Sequence, residues 1–486
     1  MKYNNLLNEI SDALLTDFYQ LTMIQGYYYF KRHTEVVFDY FFRRIPFNGG
    51  YCIFAGLETL IDFINNFKFN DNDINYLKSL NMFKEDFLEF LRKLKFNIDL
   101  YSVQEGEIVF PNEPLIRIHG NIIEVQLLET ILLNIINFQT LIATKTSRIV
   151  EAANGKPVLE FGLRRAQGID GAISGTRASF IGGVGATSNV YSAKVFDIPP
   201  KGTMAHSWVM AFDSERESFE KYADLYPDSA VLLVDTYDSL DKGIPNAIKV
   251  LKALKNKGIK NFGIRIDSGD LSDLSKKARQ LLDKAGLKEA TVIVSNELDE
   301  YVISELKKNN SPIDVYGVGT KLITADGSSS LSGVYKIIAK KEVEKYKPCI
   351  KITDDPKKII NPGIKNILRL FKNNKPAGDL IFLQDQEKSI SEKIINKKAI
   401  KLIHPEYDYK IIKIEDYDFA EILLKKVIDK GKAIIDFPSL YEIQQKVRSN
   451  LKKLDSRYKR LLNPHIYNIG ISQELMDLKL KMINES

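Results

Sequence analysis

The sequence predicts an α/β protein built on an incomplete TIM-like α/β barrel, with an N-terminal α+β domain and a C-terminal extension. Three observations predict it. Short apolar runs recur between residues 157 and 318, amphipathic helical stretches separate them, and polar residues gather at the forward ends of the runs. Alternating buried strands and helices call for a parallel sheet, and this many in series favour a barrel over an open sheet.

The expected division is 1–145 for the N-terminal domain, 146–343 for the barrel and 344–486 for the C-terminal domain. Leu14 to Phe30 reads as an aromatic-rich helix, Glu35 to Phe42 as a strand, and Ser102 to Ile118 as strand-turn-strand. Asn121 to Ala153 is a long apolar helical pattern suited to burial. Barrel strands are expected at Pro157–Phe161, Ala230–Val234, Phe262–Ile266, Thr291–Val294 and Ile313–Val318. The intervening helices fall at Ser214–Tyr226, Leu240–Lys255, Leu271–Ala285 and Leu298–Lys308. After Lys336 the composition turns lysine-rich and the alternation stops, so residues 345–486 are expected to be mostly helical and extended.

Bulk properties narrow the function classes. A chain of 486 residues exceeds one simple core. Its 44% hydrophobic and 27% charged residues are those of a soluble globular protein. A net charge of +6 permits an anionic substrate but falls far short of a nucleic-acid-binding surface. Cys52 and Cys349 lie far apart without a CxxC or Cys/His cluster, which argues against a disulfide framework or structural zinc. Met1 to Ser11 is polar and lacks the apolar stretch of a signal peptide. The longest apolar run, Ile131 to Ile136, is interrupted by Asn134 and cannot span a membrane. A cytoplasmic protein with no membrane or nucleic-acid partner is expected.

Read forward, the strand ends deliver Arg164 and Arg165, Thr187 and Ser188, His206 and Ser207, Asp235, Asp267 and Ser268, Ser295 and Asn296, then Gly317 and Gly319. Barrel active sites are assembled from strand ends on one face. The segment Gly202–Trp208 (GTMAHSW) surrounds a titratable nucleophile with small and hydroxyl-bearing residues and holds the only tryptophan. In Arg265–Leu271 (RIDSGDL), Asp267 can hold ribose hydroxyls or Mg²⁺ through water, and Asp270 reads as a helix cap. Leu233–Asp238 (LVDTYD) repeats the device with Asp235. Such a pair suits a metal-diphosphate ligand, or positive charge developing on a ribosyl carbon. Phe161–Gly168 (FGLRRAQG) offers a ring that can stack on a flat heterocycle and guanidinium forks that bind phosphate. Val315–Thr320 (VYGVGT) offers paired glycines where barrels bind phosphate on backbone N–H groups.

With these motifs in order, the chain resembles the nicotinate phosphoribosyltransferases over nearly its whole length. The resemblance also rests on Leu14–Met23 (LLTDFYQLTM), Gly183–Val190 (GVGATSNV), Gly333–Lys336 (GVYK), Lys347–Ile352 (KPCIKI) and Asn361–Gly363 (NPG). It implies a type II phosphoribosyltransferase joining nicotinate to phosphoribosyl diphosphate, with Mg²⁺ and with ATP as co-substrate. The resemblance further implies a phosphohistidine at His206. By the same implication Phe161 and Tyr19 cover the two faces of the pyridine, Tyr19 reaching into the neighbouring subunit of a homodimer. Thr203 and Arg265 match nicotinate-contacting positions. The resemblance implies that Arg164, Gly317, Gly319, Thr320 and Lys336 would hold phosphates, while Asp235 and Asp267 would face the ribose and, through water, Mg²⁺. The nicotinamide-using relatives carry an aspartate near the position of Thr187, so this chain is expected to prefer the acid. Two other readings are a phosphate-binding barrel of the aldolase or isomerase kind and a basic RNA-binding or scaffolding protein. The first wants a Schiff-base lysine or glutamate base where this chain has Arg and Asp; the second wants clustered basic residues where acids are interleaved.

Overall fold

Six strands line up as a curled parallel half-barrel in a computed structural model that describes residues 12–355 and 358–485. They are β1 (Val158–Glu160), β2 (Ala186–Thr187), β3 (Ala230–Leu233), β4 (Phe262–Ile266), β5 (Thr291–Val294) and β6 (Val315–Val318). Their order across the sheet is β2-β1-β6-β5-β4-β3, and every neighbouring pair is parallel. Sequences such as AVLL and TVIV are near-continuously apolar because helices cover a parallel sheet. Residues 141–329 and 440–447 form the compact unit built around this sheet. Met1–Ser11, read above as polar and not a signal peptide, lies outside the described residues.

Caps make the strand-to-helix turns short and definite. Asp270 accepts the N–H groups of Ser272 and Asp273 and opens the helix Leu271–Lys284. Asp299 does the same for Glu300–Lys308, accepting the N–H groups of Tyr301 and Val302. Each such cap contributes about 1 kcal/mol, and each holds its preceding strand end in place. Asp270 is therefore a helix cap, as its position implied.

The second unit comprises the described residues of 1–140, 330–439 and 448–486. It holds a seven-stranded sheet in which Glu35–Phe42 lies between Gly333–Glu342 and Ile116–Asn121, antiparallel to both. The region expected to be mostly helical and extended holds strands as well as the helices Glu387–Ile395, Leu440–Lys453 and Gln473–Asn484. Lys365–Lys372 and Lys375–Leu383 pair antiparallel inside a six-stranded sheet. Their turn is Asn373–Asn374, both at positive φ (51° and 57°), the conformation that a tight hairpin demands and Asn tolerates. Lysine-rich composition suggested helix, but the buried apolar runs on either side of the Asn-Asn turn decide for strand. The expected helix Asn121–Ala153 is divided at Leu128 into Ile122–Leu127 and Glu129–Ala153.

Candidate active site

Arg265 is the penultimate residue of β4 and organises the rim of the half-barrel. Its Nε donates to Ser295 Oγ at 2.7 Å, Nη1 to Thr203 Oγ1 at 2.8 Å and Nη2 to Asp267 Oδ1 at 2.7 Å. The three partners come from the end of β5, the loop before His206 and the end of β4, so the guanidinium plane is fixed from three sides. The guanidinium carbon lies 5.7 Å from the centroid of the Phe161 ring. Burial pushes the Asp267 acid upward, but the Arg265 charge, the Ser295 hydroxyl and the Arg265 hydrogen bond outweigh it and hold Asp267 below its ordinary value. Asp267 is thus a carboxylate at neutral pH.

His206 begins the short helix His206–Met210. Its Nδ1 lies 3.1 Å from Thr236 Oγ1, and its Nε2 faces Asp267 Oδ2 at 3.8 Å. The neighbouring Trp208 is an anchor: its Nε1 donates to the Ser218 carbonyl at 3.0 Å and its ring packs on Phe212 and Tyr222. Asp235 Oδ2 accepts the Asp267 N–H at 2.9 Å and the Ser268 hydroxyl at 2.6 Å. Asp235 Oδ1 is buried and has no hydrogen-bond partner among the described residues.

Phe161 is buried against β6, and Gly317 is what admits it: a Cβ there would fall 2.6 Å from Phe161 Cε2. Gly319 is nearly as close, its Cβ position lying 3.0 Å from the Phe161 carbonyl oxygen. Glycine at both places thus serves the aromatic platform as well as any backbone contact to phosphate.

Family models cover the chain in three blocks. Nicotinate phosphoribosyltransferase models match residues 14–137 as its N-terminal domain, 157–392 as the family itself and 364–479 as its C-terminal domain. The chain belongs to the nicotinate phosphoribosyltransferase family. The nicotinate phosphoribosyltransferase of Bacillus subtilis is 44% identical over 476 residues, covering 97% of this chain and 95% of that one. That of Dictyostelium discoideum is 35% identical over 526 residues, covering 97% and 88%. The crystal structure of human nicotinic acid phosphoribosyltransferase superposes with a TM-score of 0.83 at 28% identity, covering 97% of this chain and all of that one. A nicotinate-nucleotide pyrophosphorylase from Pyrococcus furiosus shares the fold at TM-score 0.69 and 22% identity, covering 92% and 96%.

Of the residues singled out from the sequence, Thr203, His206, Asp235, Arg265 and Asp267 form one bonded cluster in this family member, with Phe161, Gly317 and Gly319 packed together. Arg164 lies on the exposed turn Leu163–Arg165, and no described residue pairs with it. Thr320 opens the short helix Thr320–Ile323, half-buried. Tyr19 and Lys336 belong to the second unit. There Tyr19 is 49% exposed on the helix Phe18–Phe30, and Lys336 Nζ donates to the Tyr335 carbonyl at 2.8 Å and lies 3.6 Å from Glu129 Oε1. Ser295, Thr236 and Ser268 complete the cluster, although the sequence gives no hint of whom they bond. The segment Ala186–Asn189 has no carboxylate of its own, but Glu160, buried at the end of β1, accepts the Thr187 hydroxyl and so stands where the acid preference expected no negative charge. Among the described residues no group of three or more His, Cys, Asp or Glu is placed to hold a metal, and no helix is long and apolar enough to cross a membrane.

Proposed function

We propose that the protein joins nicotinate to the ribosyl carbon of phosphoribosyl diphosphate, giving nicotinate mononucleotide and diphosphate, with ATP hydrolysis coupled through a phosphohistidine at His206. The observation that carries this reading is the immobilised Arg265 beside the Phe161 ring. A guanidinium has five N–H donors. Three are taken by Ser295, Thr203 and Asp267, which leaves one on each terminal nitrogen for a carboxylate. A flat ring bearing a carboxylate is what this pair of surfaces selects, and an amide would waste the charge.

In the transfer, the pyridine nitrogen of nicotinate bonds to the ribosyl carbon as the bond from that carbon to diphosphate breaks. Positive charge builds on the ribose ring, and the Asp235 and Asp267 carboxylates, placed at adjacent strand ends, stabilise it. Arg164, unpaired on its turn, together with Gly317, Gly319 and Thr320, serves the phosphates. Mg²⁺, if bound with the diphosphate, would supply charge neutralisation to that leaving group. The buried, unpartnered Asp235 Oδ1 is the atom that fits it, through water, with Asp267 beside it.

Thr236 supports the histidine role. With the imidazole proton on Nδ1 donated to the Thr236 hydroxyl, the Nε2 lone pair is left free. Nε2 attacks the terminal phosphorus of ATP, the N–P bond forms, and the bond to ADP breaks. Water later cleaves N–P and returns the neutral imidazole and inorganic phosphate. While it lasts, the phosphoryl group adds charge and strong acceptors at the rim.

Tyr19 and Lys336 are assigned to the pyridine and the diphosphate, Tyr19 from a second copy in a homodimer. The reaction belongs to NAD salvage, and we place it in the cytoplasm.

The test is product formation from nicotinate, phosphoribosyl diphosphate and Mg²⁺, with and without ATP, for the wild type and His206→Ala. Faster formation of nicotinate mononucleotide with ATP, with that gain lost in the variant, is expected. A rate indifferent to both ATP and the substitution removes the coupling, and no product from nicotinate removes the whole reading.

A further inference from the structure

One carboxyl group at the rim has no part in the steps above. Glu160 ends β1 with its side chain wholly buried. Its Oε1 accepts the N–H of Gly162, the residue that follows Phe161. Its Oε2 accepts the Thr187 hydroxyl from the end of β2 and lies 3.4 Å from the Thr176 hydroxyl on the helix Ile169–Gly182. The bonds continue outward. Thr187 Oγ1 accepts the Asn189 N–H at 2.9 Å, Asn189 Nδ2 donates to Thr176 Oγ1 at 3.3 Å, and the Glu160 carbonyl accepts the Ser188 N–H at 2.9 Å.

The turn it holds has no slack. A Cβ on Gly162 would fall 2.8 Å from Glu160 Oε1 and 2.5 Å from Ile323 Cβ. The Phe161 N–H is itself tied to the Val318 carbonyl at 2.8 Å. Burial pushes the Glu160 acid upward, and the Thr187 hydroxyl, the Gly162 N–H and the Thr176 hydroxyl pull it back without cancelling the rise. Burying a carboxyl group is costly, and an apolar side chain would hold a plain strand end at less expense. What an apolar side chain lacks is the ability to fix two loops at once by directional bonds.

We infer that Glu160 is a positioning residue for the nicotinate site: by clamping the Gly162 N–H to the Thr187 hydroxyl it sets the attitude of the Phe161 ring. The inference rests on the proposed stacking of nicotinate on Phe161. The measurement is kcat and KM for both substrates in the wild type, Glu160→Gln, Phe161→Ala and the double variant. Glu160→Gln is expected to raise the KM for nicotinate about tenfold while leaving that for phosphoribosyl diphosphate within about twofold, and to add nothing in the Phe161→Ala background. Equal rises in both KM values, or the same fold-effect with and without the Phe161 ring, overturn it. If Glu160→Gln does not fold, Thr187→Val removes the same bond at nearly constant shape and Thr187→Ser restores it. An unchanged nicotinate KM in Thr187→Val then overturns the inference. A wild type that makes no product overturns the substrate reading and this inference together, whereas a working wild type with unaltered variants overturns the inference alone.

Discussion

Each of the two units sets a guanidinium against carboxylates, and they do so to opposite ends. In the half-barrel, Arg265 and Asp267 are 11% and 26% exposed, and their bonds leave N–H groups and a carboxylate oxygen unspent. In the second unit, Arg369 and Asp379 are 3% and 0% exposed, and Asp379 is saturated: it accepts Arg369 Nε at 3.0 Å, Arg369 Nη2 at 2.6 Å and the Tyr467 hydroxyl at 2.9 Å. The Tyr467 ring stacks on Phe110 with centroids 3.9 Å apart, and Arg369 lies over both. Identical functional groups thus close into a structural knot in one place and stay open in the other. Residual bonding capacity, rather than the presence of charge, separates a site from a strut.

Breaking the closed cluster is expected to have the largest effect. Arg369→Met leaves Asp379 buried without its cation and should cost about 3–5 kcal/mol, read as a fall in the urea midpoint. The open cluster should respond the other way round. Arg265→Lys keeps the charge but loses the planar fork, so kcat/KM for nicotinate should fall on the order of 10²-fold while stability changes by less than about 1 kcal/mol. A large stability loss in Arg265→Lys with activity per folded molecule retained would erase the distinction.

The smallest effect sharpens it. Glu113 stands beside Asp379, and burial, then the Asp379 charge, pushes its acid well above the ordinary value. Below that ordinary value, 4.5, Glu113 is protonated in folded and unfolded chains alike and its contribution is complete. As pH rises the unfolded chain releases the proton first, so the contribution is lost up to the folded pKa. Glu113→Gln, which cannot titrate, should flatten the decline in urea midpoint as the pH rises above 4.5. An unchanged slope would place the titration elsewhere.

Much of the half-barrel was legible in the sequence because its signals are local. Phe262–Ile266 and Thr291–Val294 are strands with the very bounds that apolar runs and their polar ends suggest. The second unit was not legible in the same way. The strand Glu35–Phe42 has the bounds read from the sequence, but its partners lie far along the chain, as Lys340 does from Val36, and no local signal names them. In the site, strand-end position found Arg265, Asp267 and Asp235, since one residue per strand is enough to mark the rim. The bonds of Ser295, Thr236 and Glu160 join residues 27 to 30 apart, and only the assembled sheet brings them together. Glu160 was read as part of an apolar run, because burial gives a carboxyl group no local signature.

Trp208 gives the protein an optical probe of its own. As the only tryptophan in 486 residues it is the one indole whose emission can be excited selectively, and it sits two positions after His206. Its Nε1 is bound to the Ser218 carbonyl and its ring is held by Phe212 and Tyr222, so the chromophore is anchored beside the imidazole. Stopped-flow emission from the unlabelled enzyme is therefore the readout for the phosphoryl transfer proposed at His206, without any added dye.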